Sequence, residues 1–247
     1  MTLDGTNTWV LAEPDARRVA VVDPGPLDEG HLQRILQVVA AGGGRVGLVL
    51  LTHGHSDHAE GARRFAELTD SPVRALDPAH RLGEEGFAEG DVVELDGLEV
   101  RVLETPGHSG DSLCFLLPGD DAVLTGDTVL GRGTTVIARD GRLGDYLASL
   151  RRLRALAAST QARVLLPGHG PTLTDPLGVV EYYLAHRRER LDQVEAALAA
   201  GDRTPREIVH RVYGDVDPVL WPAAEWSVRA QLDYLAERGA LRSDDPR

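Results

Sequence analysis

The sequence has no lysine, so all 26 of its basic residues are arginines. This absence excludes Schiff-base catalysis by a lysine and the phosphate-binding lysine of a P-loop. There is one cysteine, Cys114, which excludes an intrachain disulfide and which we expect to be a buried strand residue. There is no run of 18 apolar residues and no basic-then-apolar segment at the start, so neither a membrane-spanning helix nor a signal peptide is predicted. A cytoplasmic protein is therefore expected.

Basic residues are also outnumbered by acidic ones. With 39 acidic residues, the formal net charge is −13. An acidic surface repels polyphosphate at long range and disfavours tight non-specific binding to nucleic acid, although an arginine-lined groove or bound cations would reverse the field locally. The 247 residues are enough for a main domain and a small appendage.

Short apolar runs alternate with a few helical patterns up to about residue 175. The predicted strands cover residues 8–12, 19–22, 47–51, 73–76, 92–95, 98–103, 113–117, 122–124 and 163–166, and the predicted helices cover 31–41, 59–68 and 144–157. Runs of strands with few helices favour two sheets covered by helices over a doubly wound parallel sheet.

After Asp175 the pattern is helical. Pro176–Ala200 predicts one long helix or two abutting helices, and a capping box at Thr204 opens another. A third helix is predicted to reach Arg238, and Gly239 could start a strand, an order that resembles a winged-helix module. The sequence thus predicts a main domain over residues 1–175 and a small, helical, winged-helix-like module over residues 176–247.

The strongest chemical signal is a histidine cluster directly after a predicted buried strand. Within six residues it places His53, His55, Asp57 and His58. Imidazole and carboxylate groups suit a borderline metal such as zinc, and ligands on a loop at a strand end can converge on one point. Only nine histidines occur in the chain, so three of them in so short a segment favour metal binding over a polar loop.

Three further segments share one pattern, in which a predicted strand ends and a glycine precedes a potential ligand. These ligands are His108, Asp127 and His169. A glycine there permits close backbone approach or an unusual dihedral. Each segment alone could be a simple turn, but together with the cluster they predict one shared metal site.

This set of motifs, in this order and at these separations, is similar to the metallo-β-lactamase superfamily from Thr6 to about Thr172. The resemblance implies an α/β fold, an αββα sandwich with the metals at one edge between the sheets. It also implies a set of metal ligands: His53, His55 and His108 for the first metal, Asp57, His58 and His169 for the second, and Asp127 as a bridge.

The resemblance implies a hydrolytic mechanism with two zinc ions as cofactors, although manganese or iron could take their place. Two close cations lower the pKa of a shared water, which becomes the nucleophile, and they stabilise the oxyanion that develops. Asp57 is the candidate catalytic residue, which would orient the nucleophile and carry its proton. Asp23 is either a turn former or a hydrogen-bond partner of a ligand histidine.

Within the superfamily, the start of the chain and its tail look most like the β-lactamase-like protein 2 family. The best-known lactamases are exported and have a cysteine at the position of Asp127. Here no export signal is predicted and the residue is an aspartate, so antibiotic hydrolysis is not expected. Three hypotheses stay open: an endoribonuclease acting on single-stranded RNA, which ranks first; a hydrolase of small esters or of acyl-carrier or glutathione thioesters; and a nucleic-acid-binding regulator with a vestigial metal site. Aromatic residues of the tail, such as Trp226, are expected to be core or homodimer contacts.

Overall fold

The computed structural model describes residues 5–137, 139–159 and 162–240. The β-strands are β1 (Trp9–Leu11), β2 (Arg18–Val22), β3 (Arg45–Leu50), β4 (Val73–Arg74), β5 (Val92–Leu95), β6 (Leu98–Glu104), β7 (Leu113–Leu117), β8 (Ala122–Gly126) and β9 (Val164–Pro167). The α-helices are α1 (Glu29–Ala41), α2 (Ser56–Ala59), α3 (Ala62–Thr69), α4 (Leu143–Ala158), α5 (Pro176–Ala199), α6 (Pro205–Val212) and α7 (Trp221–Glu237).

The strands form two sheets in chain order. In the first sheet, β1 is antiparallel to β2, while β3 and β4 continue in parallel. In the second sheet, β5 to β8 are antiparallel neighbours and β9 adds in parallel beside β8. The parallel pairs require crossover connections, which α1, α3 and α4 provide.

The two sheets face each other across an apolar core. Alternate residues of β2 show how the sequence builds it, since Ala20 and Val22 point into this core and Val19 and Val21 point away from it. The inner faces pack as in other sheet sandwiches, with aliphatic residues of the first sheet against Phe115 and its neighbours in the second.

Helices cover both outer faces of the sandwich. On the first sheet, Leu32 and Phe65 of α1 and α3 pack against the strands. On the second sheet, Tyr146 of α4 and Tyr183 of α5 pack against Cys114, which is fully buried as expected. The predicted αββα sandwich is therefore confirmed.

One predicted helix has different bounds. Residues 59–68 were expected to form a single helix, but α3 begins only at Ala62, and Ser56–Ala59 forms the separate turn α2. The break falls at Gly61, whose N–H donates to the carbonyl of Gly25 and not to the preceding turn. The histidine cluster is therefore partly helical.

The tail consists of α5, α6 and α7. Thr204 caps α6 through its hydroxyl, which accepts from the N–H of Glu207, as the capping box predicts. Helix α5 contributes to two apolar clusters, with Val180 and Tyr183 beside α4 and Val194 among α6 and α7. The division after residue 175 therefore stays a prediction.

Two further expectations concern the end of the chain and its helices. The strand predicted from Gly239 falls on a turn at that residue, and its continuation lies outside the described residues. None of the helices in the described ranges has the length and apolar character to cross a membrane.

Candidate metal centre

The sheet topology brings the predicted ligand loops together. Strands β6 and β8 both run antiparallel to β7, and β9 runs parallel to β8, so these three strands end at one edge of the second sheet. His108, Asp127 and His169 follow those three ends. The end of β3 joins the same edge, because the N–H of Leu113 donates to the carbonyl of Thr52, one residue before the histidine cluster.

The first group of potential ligands consists of His53, His55 and His108. Nε2 of His53 lies 3.1 Å from Nδ1 of His55, and Nε2 of His108 lies 3.0 Å from the same atom. Three donors around one cation at the usual zinc–nitrogen length would lie about 3.3 Å apart in tetrahedral geometry. The spacing of these nitrogens therefore fits a single cation.

The second group consists of Asp57, His58 and His169. Nε2 of His58 lies 3.2 Å from Nε2 of His169, which in turn lies 3.1 Å from Oδ2 of Asp57. This group offers two nitrogens and one oxygen, a donor set that also suits zinc or another divalent transition metal.

Asp127 lies between the two groups. Its Oδ1 lies 3.4 Å from Nε2 of both His58 and His169, and its Oδ2 lies 3.6 Å from Nε2 of His108. Oδ1 is buried and has no hydrogen-bond partner among the described residues. A buried carboxylate oxygen without a partner is costly unless a cation completes its surroundings.

The other ring nitrogen of most of these histidines has a fixed partner. The Nδ1–H of His108 donates to the carbonyl of Val136 at 2.7 Å, and that of His169 donates to the carbonyl of Gly5 at 2.9 Å. Nδ1 of His53 lies 3.0 Å from the hydroxyl of Thr52. A carbonyl can only accept, so it fixes the proton on Nδ1 and leaves the Nε2 lone pair directed into the site.

Asp23 supports the site from behind. Its Oδ2 lies 2.8 Å from Nδ1 of His58 and accepts from the hydroxyl of Thr52 at 2.6 Å, while its Oδ1 accepts from the N–H of Thr52 at 2.8 Å. Asp23 is 1% exposed and adopts a left-handed backbone with φ of 50°. Of the two roles considered for Asp23, the structure supports that of a hydrogen-bond partner for a histidine of the cluster, His58.

The first residues of the chain also reach the site. Besides the Gly5 carbonyl at His169, the hydroxyl of Thr6 donates to the carbonyl of Asp57 at 2.8 Å. The side-chain amide of Asn7 donates to the carbonyls of residues 167 and 170, at 3.0 and 2.8 Å, on either side of His169. Residues 5–7, which we name the N-terminal segment, therefore hold two of the predicted ligand loops.

Glycines let the backbone come close where the pattern predicted. Gly107, before His108, has a φ of 139°, and a Cβ atom on it would overlap the backbone of Tyr146 in α4. A Cβ atom on Gly168, before His169, would lie 2.7 Å from Cε1 of His58 and 2.8 Å from Oδ1 of Asp127. Both positions therefore require glycine.

Burial and neighbouring charges set the pKa values of the cluster. Burial lowers the pKa of His53 well below its ordinary value and also lowers that of His108, so both rings are neutral. Burial also opposes ionisation of Asp127, but the His169 and His58 rings beside its carboxylate hold its pKa well below the usual range. Asp127 is therefore an anion inside the site.

His58 and His169 respond to the surrounding carboxylates. Burial disfavours the charged form of His58, yet Asp23 and Asp127 outweigh that effect and raise its pKa to about 10. Asp127 and Asp57 overcome burial in the same way at His169 and raise its pKa to about 9. The carboxylates thus attract positive charge, which a proton or a metal cation can supply, and a cation must displace the protons to bind.

The site opens to solvent at His55 and Asp57, whose side chains are 34% and 26% exposed. A cavity of about 430 Å³ lies beside His55. Its polar lining consists of Asp77, His80, Asp111 and Asp140.

Sequence reasoning missed the residues of this cavity. Oδ1 of Asp140 lies 3.9 Å from Nε2 of His55, and a Cβ atom on Gly54 would overlap Nε2 of His80. Neither residue follows the strand–glycine–ligand pattern, and a single sequence contains no other signal for them. The other histidines outside the motifs do other work; for example, His31 lies against the hydroxyl of Thr8 and His210 against the Trp221 ring.

A family model described as the metallo-beta-lactamase superfamily matches residues 1–169. The chain belongs to this superfamily. It is a hydrolase of the metallo-β-lactamase fold. A second model, the beta-lactamase associated winged helix domain, matches residues 204–246, in agreement with the predicted tail.

Individual relatives cover most of this superfamily member. A Beta-lactamase-like protein 2 homolog of Drosophila melanogaster is 31% identical over 266 residues, which cover 98% of this chain and 86% of the relative. An atrochrysone carboxyl ACP thioesterase of Aspergillus fumigatus is 33% identical over 231 residues, which cover 87% of this chain and 70% of the relative. Among solved structures, a metallo-beta-lactamase family protein of Thermus thermophilus has a TM-score of 0.77 and 24% identity, over 97% of this chain and 96% of that one, and this likeness concerns the fold alone.

Proposed function

We propose that this metallo-β-lactamase superfamily member is a hydrolase that depends on two divalent cations, zinc first among them. The observation that supports this most is the position of Asp127, which turns one carboxylate oxygen toward each group of ligands. His53, His55 and His108 would hold one cation, and Asp57, His58 and His169 would hold the other. The predicted regulator with a vestigial site is disfavoured, because all seven donors are present and directed inward.

Two cations held by these residues supply Lewis acidity and lower the pKa of a water molecule. The protein itself contributes in two ways. It fixes the orientation of the histidine ligands through hydrogen bonds to the ring nitrogens that face away from the site, and it transfers a proton during the reaction. Asp57 suits the second task because its carboxylate is partly exposed, while a hydrogen bond from His169 keeps its pKa low despite burial. We propose that Asp57 takes the proton of the attacking water and delivers it to the leaving group.

For the substrate, we propose an acyl thioester as the first candidate. Water attacks the carbonyl carbon, the carbon–sulfur bond breaks, and the thiolate leaves with the proton that Asp57 carries. The cavity beside His55 supports this class, because three carboxylates and, among the described residues, no arginine line it, and such a lining repels a phosphodiester backbone. The thioesterase among the relatives supports the same substrate.

Single-stranded RNA, which the sequence alone placed first, is the second candidate. It is favoured by an aromatic and cationic pair at the rim of the site. The guanidinium of Arg139 lies 5.2 Å from the ring centre of Trp226, which is 40% exposed, and Arg139 directly precedes Asp140 of the cavity. Exposed aromatic rings and arginines bind the bases and phosphates of single strands.

The metal site can be tested on the purified protein by elemental analysis. We expect close to two zinc equivalents per chain and a loss of hydrolysis of about a hundredfold or more in Asp127→Ala, with an unchanged circular dichroism spectrum. Asp192→Ala, on an exposed face of α5, is the matched control. A folded protein that binds no divalent cation would refute the proposal.

The substrate class can be tested by giving one preparation a panel of acyl thioesters and a labelled single-stranded RNA. We expect turnover of thioesters, and wild-type kinetics on them in Trp226→Ala. Cleavage of RNA alone, with a higher KM in Trp226→Ala, would instead establish the second candidate. A cytoplasmic location, a homodimer and the division after residue 175 stay predictions alongside these proposals.

A further inference from the structure

Arg187 of α5 is buried, although it is a cation. It is 3% exposed, and its guanidinium lies 5.0 Å from the ring centre of Tyr146. One of its Nη atoms donates to the carbonyl of Thr135, and its Nε has no hydrogen-bond partner among the described residues. Within the described part of the chain, no carboxylate lies within ion-pair distance of it. Burying such a charge is costly, so packing alone does not account for Arg187.

The residue that Arg187 contacts lies in the segment that follows Asp127. The hydroxyl of Thr135 donates to the carbonyl of Asp127 at 2.6 Å. The next residue, Val136, provides the carbonyl that accepts from Nδ1 of His108 at 2.7 Å. Arg187 thus binds the carbonyl of the peptide unit that joins Thr135 to Val136. On one side of this unit the Thr135 hydroxyl bonds to the backbone of Asp127, and on the other the Val136 carbonyl bonds to His108.

Tyr146 strengthens the same arrangement. Its hydroxyl donates at 2.7 Å to the carbonyl of Thr128, the residue after Asp127. Tyr146 of α4 therefore fixes the start of residues 127–136, and Arg187 of α5, which lies over the Tyr146 ring, fixes their end through Thr135. A positive charge over an aromatic ring, as Arg187 lies over Tyr146, is less costly than one in a wholly apolar core.

We propose that Arg187 is a positioning residue for the metal site: through Thr135 it sets the orientation of His108 and Asp127. The inference rests on the proposed function, since these two side chains are taken as ligands. It assigns a role to a tail residue that touches neither the ligands nor the cavity beside them. Removing Arg187 is therefore expected to weaken cation binding even when the fold persists.

Arg190, one turn further along α5, is a closely matched control. Its guanidinium also lies over a tyrosine ring, that of Tyr213, at 4.7 Å, and it also donates to a backbone carbonyl, that of Val212. Its Nε is likewise buried without a partner among the described residues. Its contacts, however, lie in the tail cluster rather than beside the ligands.

The experiment compares Arg187→Met and Arg190→Met in the full-length protein. Zinc affinity is measured by chelator competition, the ligand field by the absorption bands of the cobalt-substituted protein, and the fold by circular dichroism and thermal unfolding. For Arg187→Met we expect at least one zinc to bind about 10- to 100-fold more weakly and the cobalt bands to shift, as for other residues that support metal ligands. For Arg190→Met we expect a lower Tm with wild-type affinity and spectrum.

Two outcomes would overturn the inference. Wild-type zinc affinity and cobalt bands in a folded Arg187→Met protein would refute the positioning role alone. Failure of the wild-type protein to bind a cation would refute the proposed function and this inference with it. Should Arg187→Met not fold, Arg187→Gln, which is neutral but keeps an N–H donor, is measured in its place against the same two outcomes.

Discussion

At the scale of single residues, most of the histidines proposed as ligands use their two ring nitrogens for two different contacts. One nitrogen faces the site, and in His58, His108 and His169 the other is held by an oxygen of the protein. For His58 this oxygen is a carboxylate, which adds charge to orientation. The affinity of the second proposed cation site should therefore depend on Asp23 as well as on the three proposed ligands.

Asp23→Asn tests this dependence. Asparagine retains the shape and tolerates the left-handed backbone, but it loses the negative charge that favours the imidazole proton of His58. We expect one of the two proposed zinc ions to bind about 10- to 100-fold more weakly, as measured by chelator competition.

Asp96→Asn is the control for this change. Asp96 has a φ of 46°, close to that of Asp23, and its carboxylate contacts Arg18 on the surface and not the site. Equal zinc affinities in the two variants would show that the Asp23 charge does not matter.

How far the site was predictable also depends on residue type. The seven proposed ligands were predictable because imidazole and carboxylate groups at strand ends are distinctive. The carbonyls of Gly5 and Val136 were not, because every residue has a carbonyl and only the fold selects which one accepts. The contact of Arg187 was not predictable either, since nothing in the sequence shows that α5 brings this side chain to the carbonyl of residue 135.

At the scale of elements, the β6–β7 loop is packed against α4 with no room for a side chain at Gly107. Its φ of 139° is strained for any other residue, and a Cβ atom would overlap the Tyr146 backbone. We expect Gly107→Ala to lower the free energy of unfolding by about 2 to 6 kcal/mol, because strain and overpacking add. Denaturant unfolding followed by circular dichroism measures this loss.

Gly90→Ala separates strain from overlap. Gly90 also has a positive φ, 81°, but a Cβ atom there would meet no heavy atom of the described residues within 4 Å. We expect it to cost about 1 kcal/mol. If Gly107→Ala were no more destabilising than Gly90→Ala, the close packing of the loop on α4 would be wrong.

The strands were easier to predict than the helix next to the site. Alternation in β2 and apolar runs in β7 depend on residues that are near in sequence. The start of α3 at Ala62 depends on a hydrogen bond from Gly61 to Gly25, 36 positions earlier, which no local pattern contains.

At the scale of the whole molecule, α5 belongs to the sandwich as much as to the tail. Val180 and Tyr183 lie in the cluster that covers α4, and the Tyr183 hydroxyl accepts from the N–H of Leu130 at 2.9 Å. A chain that stops at residue 175 would leave this face of α4 exposed. We expect it to aggregate or to lose cooperative thermal unfolding, whereas a chain that stops at residue 201 should stay folded and bind zinc.

Size-exclusion chromatography and differential scanning calorimetry distinguish the two fragments. A monodisperse, cooperatively unfolding fragment of residues 1–175 would support the division predicted from the sequence. That division followed the change from strands to helices, a pattern that does not show which core a helix covers.

Cation binding should also be visible in global stability. Ligands that bind only the folded state stabilise it by about 2.7 kcal/mol at a hundred times Kd. For a chain of this size, that corresponds to a rise in Tm of about 5 to 10 °C per site. We expect a chelator to lower the Tm by at least this much and zinc to restore it; an unchanged Tm would argue against tight binding.

The N-terminal segment has a practical consequence for handling the protein. The carbonyl of Gly5 orients His169, and the side-chain amide of Asn7 binds the backbone on both sides of that histidine. A tag, a cleavage scar or a proteolytic cut next to residues 5–7 would act on the proposed coordination sphere while leaving the sandwich intact. Preparations that differ only there could differ in zinc content and turnover, so recombinant batches should be compared by metal-to-protein ratio before their activities are.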